Sequence, residues 1–126
     1  LLEVHAHWIT PDTSPHRYDT IFFSALAPKG HLALHDGIES TSHVWMRPED
    51  ALEQRDRQEL RMIFPTTCNL ETLAGFENAD AALEASGKRE VVTVLPVVRE
   101  RDGKRRLTIP ENAGYATTEE PFNTGR

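Results

Sequence analysis

Apolar and polar positions alternate from the first residues of the chain. Val4, Ala6 and Trp8 interleave with His5, His7 and Ile9, a period of two that predicts a strand ending at Thr10-Pro11. Pro11-Asp12-Thr13-Ser14-Pro15 is dense in turn formers and predicts a loop. From Tyr18 to Ala27 the alternation disappears, and nearly every position is apolar, with β-branched and aromatic residues first. Such a run fits a strand covered on both faces, which makes this segment the expected central strand. A third strand is expected from Ile38 to Met46, with Val44 and Met46 on one face and Trp45 on the other.

The period then changes. Arg47-Pro48-Glu49-Asp50-Ala51-Leu52 has the form of a helix start, with proline in the first turn and two carboxylates near the positive end of the backbone dipole. That helix should run to Arg57. Leu60, Met62, Ile63 and Phe64 make an apolar knot before Pro65, after which Thr66 or Thr67 is the expected cap of a short helix that Gly75 ends. Asn78 or Asp80 caps the next, through Ala81, Ala82, Leu83 and Ala85, with Gly87 closing it in the left-handed position. Val91 to Val98 reads as a strand that Pro96 confines to an edge or a bulge, and Asp102-Gly103 predicts a hairpin into Leu107-Thr108-Ile109. Residues 116–126 are expected to form a flexible tail, ordered only where Tyr115 and Phe122 dock.

Composition places these elements in one domain: 126 residues, 38% hydrophobic and 27% charged, suffice for a single core. No apolar run approaches the roughly 18 residues of a spanning helix. The start has neither the basic front nor the apolar stretch of a secretory leader, and it lacks Met, so the chain is expected to be part of a longer gene product. A net charge of -6 gives no pull toward nucleic acid or an anionic membrane, and neither is an expected partner. The basic group Arg99, Arg101, Lys104, Arg105 and Arg106 reads as a solvated hairpin tip. The single Cys68 excludes an intrachain disulfide and a multi-cysteine zinc site, and points to a reducing compartment, the cytoplasm.

Candidate chemistry is sparse. His5 and His7, two apart on a strand, are expected to share a face about 7 Å apart, which opens metal-dependent hydrolysis as one reading. The remaining histidines lie in loops or at a strand edge without a second close pair. Cys68 lies near a helix start, where a thiolate is favoured, but packing as a small buried apolar group is its expected role. Neither a Gly-rich phosphate loop nor a G-x-S-x-G nucleophile turn is present. By its own residues the chain supplies no self-contained catalytic motif.

Longer segments in a shared order carry more. His7-Trp8-Ile9-Thr10-Pro11, then Pro15-His16-Arg17-Tyr18-Asp19-Thr20-Ile21-Phe22-Phe23, then Glu39 with Trp45 six residues on, then Arg47 to Leu52, resemble Nudix hydrolases. The similarity is to the branch of peroxisomal coenzyme A diphosphatases and their actinobacterial relatives. Phe64-Pro65-Thr66-Thr67 through Leu73, Leu95-Pro96, Ile109-Pro110 and Gly114-Tyr115 extend it over residues 5–115. The resemblance implies an α+β fold in which residues 1–115 are the C-terminal portion of a Nudix-type α/β/α sandwich with a mixed sheet. It also implies a parent enzyme that cleaves a diphosphate linkage in a small nucleoside diphosphate derivative, coenzyme A or an acyl-coenzyme A among them, with Mg or Mn. In that family the ion is held by glutamates of the Nudix box, G-x5-E-x7-R-E-U-x-E-E-x-G-U, which precedes the W-x-T-P segment.

This chain departs from the family at that point. Gly75, Arg89, Glu90 and Val91 fall at box spacing, yet Ala81, Thr93 and Val94 stand where glutamates are required, and Val91 to Val94 is strand-like where the box is helical. The chain alone is therefore expected to bind no metal and to be inactive, supplying core and substrate-facing surface to its parent. Within the resemblance, Arg17 is the expected phosphate or ribose contact, since a guanidinium grips phosphate oxygens in pairs. Phe22, Phe23 and Trp45 offer rings for stacking on a base, and Glu39 matches a position near the active-site rim. Two other readings remain open: a non-catalytic binding or assembly module derived from a Nudix protein, and a metal-dependent hydrolase using His5 and His7. The apolar strands left without the missing half predict a homo-oligomer.

Overall fold

In the computed structural model, which describes residues 2–30 and 32–122, two strands open the chain, helices occupy its middle and strands close it. β1 (Leu2–Ile9) and β2 (Asp19–Ala25) pair antiparallel, and β3 (Thr93–Val94) runs parallel along the other side of β1. This first sheet, ordered β2-β1-β3, is therefore mixed. β4 (Val97–Arg101), β5 (Lys104–Thr108) and β6 (Glu119–Pro121) form a second, antiparallel sheet in that order. Between β2 and β3 lie α1 (Pro48–Asp56), α2 (Phe64–Ala74) and α3 (Ala79–Lys88). The fold class is α+β. No helix among the described residues is long and apolar enough to cross a membrane.

The expected central strand is an edge. β3 joins β1 rather than β2, so β1 takes the centre, with Ala6 1% and Trp8 3% exposed, while Ile21 and Phe23 of β2 are 51% and 55% exposed. Continuous apolarity in the Tyr18–Ala27 run signals two faces in demand of cover, but cannot say that the chain provides it. Directly opposed residues of paired strands share a face. Ala6 with Phe22, and Trp8 with Val94, therefore lie on the face that packs against Phe64 and Cys68 of α2 and against Ile109 and Tyr115. Val4 with Phe23, and His7 with Ile21 and Thr93, lie on the other face, which carries the exposed apolar side chains.

The core is built around one ring. Trp8 meets Phe64 edge-on at 6.0 Å and Tyr115 at 5.4 Å between centroids. Its indole N–H donates to the Tyr115 hydroxyl at 3.0 Å, and that hydroxyl donates to Asn69 Oδ1 at 2.9 Å. Cys68 is fully buried beside them, as its reading as an apolar group requires.

Among the helices, α1 starts as the sequence predicts, with extended Arg47 before Pro48. α2 does not wait for a threonine cap. It begins at Phe64 behind extended Ile63, because Pro65 supplies a helical φ in the first turn, where its missing N–H has no acceptor to lose. Asn78 caps α3, accepting the Ala81 N–H at 2.9 Å. Gly87 lies inside α3 rather than beyond it, and its bare side faces the Glu3 carboxylate. Pro96 divides the 91–98 run so sharply that its halves join different sheets. Asp102 and Gly103 turn the β4–β5 hairpin with φ of 53° and 74°, the left-handed pair of a two-residue turn.

The expected strand from Ile38 to Met46 is absent. Asp36 Oδ1 accepts the N–H groups of Ile38, Glu39 and Ser40, winding the start of the segment into a turn, and Ile38 is 90% exposed. With no neighbour to pair with and no surface to pack on, its β-branched residues have nothing to stabilise an extended form. Within the segment expected as a tail, Glu119–Pro121 forms β6 beside Phe122, and Arg105 sits over the Phe122 ring at 4.8 Å. Residues 123–126 of that expected tail lie outside the described residues.

Candidate functional site

A hydroxyl, an imidazole and a carboxylate converge on the open face of the first sheet. His7, in the central strand, is contacted through Nε2 by Asp19 Oδ1 of β2, and its Nδ1 lies 2.7 Å from Thr93 Oγ1 of β3. The carboxylate accepts, so Nε2 donates to Asp19. The ring thus ties the three strands together. Asp19 is visible from the sequence as a strand residue near the hairpin loop, close to where His7 must pair. Thr93 is not, since its partner lies 86 residues away.

The expected pairing of His5 with His7 fails. The β1–β2 register shifts between Val4 and Ala6, leaving His5 as the extra residue of a bulge, so the simple alternation that would align the two rings is broken. His5 turns to α3, with Nδ1 at 3.3 Å from Ser86 Oγ, and is buried with Nε2 lacking a protein partner. Burial first, and the Arg89 guanidinium second, hold its pKa below the ordinary value. A magnesium or manganese ion requires several converging oxygen ligands. Among the described residues no three His, Cys, Asp or Glu side chains are so grouped, and the residues present do not fit such an ion. Cys68 is equally unsuited to nucleophilic work: burial, then Glu71 and Glu120, push its thiol up to about 12.

The residues assigned to substrate contact lie apart. Arg17 closes the β1–β2 loop, its Nε donating to the Thr10 carbonyl at 3.2 Å. Phe23 stands on the open sheet face, Glu39 lies in the turn wound around Asp36, and Trp45 borders a shallow hollow beside α1 with Asp50 and Arg57. That hollow takes in Trp45 but not Arg17, Phe23 or Glu39. Phe22 points the opposite way from Phe23, against the core cluster and into a cavity of about 680 Å³. This cavity opens between the β1–β2 loop, the start of α2 and the second sheet, and none of the four assigned residues lines it.

No protein-family profile, characterised protein or solved structure matches this chain.

Proposed function

We propose that the chain is the C-terminal portion of a Nudix-type hydrolase acting in the cytoplasm on a diphosphate linkage of a nucleoside diphosphate derivative, such as coenzyme A or an acyl-coenzyme A. The observation that carries this reading is the open face of the first sheet, where Leu2, Ile21 and Phe23 point large apolar side chains at water. A sheet with one face on a core and apolar residues on the other lacks a layer. The preceding part of the domain, bearing the glutamates and the Mg or Mn ion they hold, supplies that layer in this proposal. The order of the W-x-T-P, R-x-D-T-x-F-F and P-E-D-A-L segments supports the same assignment. Arg17, Phe23, Glu39 and Trp45 are then substrate-facing surface assembled only when the missing layer is present, and in its absence a second copy of the chain covers the face.

The test is to read the coding sequence upstream of Leu1 and to assay the whole product on coenzyme A and ADP-ribose with magnesium. A Nudix box and chelator-sensitive turnover by the whole product are expected, with none from residues 1–126. A whole product without a box and without turnover would overturn the proposal and favour a non-catalytic assembly module. Turnover by residues 1–126 alone would also defeat it.

A further inference from the structure

The cavity between the two sheets is walled mainly by rings, prolines and aliphatic side chains. Its volume, about 680 Å³, falls within the range of small-molecule sites, about 300–1,000 Å³. Trp8, Tyr18, Phe22, Phe64 and Phe122 present rings to it. Among the described residues five prolines, Pro11, Pro15, Pro65, Pro96 and Pro121, complete the wall. Proline has a fixed φ and no N–H, so these stretches are stiff and offer no backbone donor.

Three polar groups of the wall are already engaged. The Trp8 indole N–H is bound to Tyr115, the Thr10 hydroxyl to the Tyr18 backbone, and the Ser14 hydroxyl to the His16 carbonyl. A ligand therefore meets mostly rings and hydrocarbon, beside the hydroxyls of Thr13, Tyr18 and Thr20. Charge narrows the class further. Among the described residues no Lys or Arg lines the cavity. An anion entering would give up its hydration with no Lys or Arg among the described lining residues to take it.

We propose that this cavity is a binding site for an uncharged, planar aromatic small molecule, which stacks among the rings and proline faces. The site is distinct from any that would hold a diphosphate, and the inference does not depend on the Nudix reading. Because its walls come from both sheets and from α2, occupancy would clamp the two sheets together. The stiff wall keeps the ordering cost of binding low.

Titration of residues 1–126 with N-phenyl-1-naphthylamine, an uncharged dye that brightens in apolar surroundings, tests this directly. Saturable binding of one dye per chain is expected, with the sulfonated relative 8-anilino-1-naphthalenesulfonate weaker by roughly tenfold or more. The pair Tyr18→Ala and Ile63→Asp alters two exposed wall residues, and Asp is favoured at the position before α2, so the fold is retained. This double variant should bind the uncharged dye roughly tenfold more weakly. Phe23→Ser, on the opposite sheet face, should leave binding unchanged. Equal affinity for both dyes, or loss of binding in Phe23→Ser with none in the double variant, would overturn the proposal.

Discussion

A single oxygen, the Tyr115 hydroxyl, joins the first strand to the second helix by accepting from Trp8 and donating to Asn69. Tyr115→Phe leaves a buried N–H and a buried carbonyl unpaired, and is expected to cost about 1–3 kcal/mol in urea unfolding. An unchanged midpoint would show that neither group depends on it. Trp45→Ala should cost less than about 1 kcal/mol, because the ring is 67% exposed and leaves no cavity behind. The two tryptophans differ by their distant partners: Trp8 meets Phe64 and Tyr115, whereas Trp45 stays exposed. His5 gives a pH dependence. Its folded pKa lies below 6.5, so the unfolded chain takes up a proton first as the solution is acidified. Its contribution is complete above pH 6.5 and is lost as the pH falls through the folded value. His5→Gln should therefore flatten the decline of melting temperature between pH 7 and pH 5, and an unaltered slope would assign that decline to other groups.

Among the elements, those fixed by a short covalent signal were legible in the sequence, and those fixed by a distant neighbour were not. Pro48 with its following carboxylates, the Asn78 cap and the Asp102-Gly103 turn each act within a few residues, and each marks its element where expected. The rank of β2 depends on where β3 pairs, and the absent strand at Ile38–Met46 depends on there being nothing to pair with. Both are facts about other segments. The same holds for the candidate site: His7 was visible as a strand residue, but the bulge that parts it from His5 and the arrival of Thr93 were not. Gly87 offers a test at this scale. A methyl group there would meet only the far end of the Glu3 side chain, at 3.2 Å, while a glycine in a helix costs at most about 0.5–1 kcal/mol relative to alanine, and Gly87 sits in the last turn. Gly87→Ala should raise stability by up to roughly half a kcal/mol, measured as a shift in unfolding midpoint. Destabilisation would mean that Glu3 is held too firmly to move.

At the scale of the molecule, the open face and the unpaired outer edge of β2 are one feature. The segment Asp-Thr-Ile-Phe-Phe-Ser-Ala contains neither lysine nor proline to blunt that edge, and the bulge lies in β1 instead. Residues 1–126 in isolation are expected to sediment as a dimer or larger at micromolar concentration, and Ile21→Lys with Phe23→Lys to release monomers. A monomer before any substitution would show that the face tolerates water unaided. The way β1 is completed has a further consequence, for folding in time. Its hairpin with β2 closes locally, but the parallel partner joins through His7 and Thr93, 86 residues apart, and Trp8 reaches Tyr115 across 107. High contact order of this kind slows folding, because a long loop must close before its contacts return any free energy. On the ribosome, a nascent chain that ends before Thr93 carries a hairpin without its sheet and an indole without its hydrogen-bond partner, so the core forms only once synthesis has passed Tyr115.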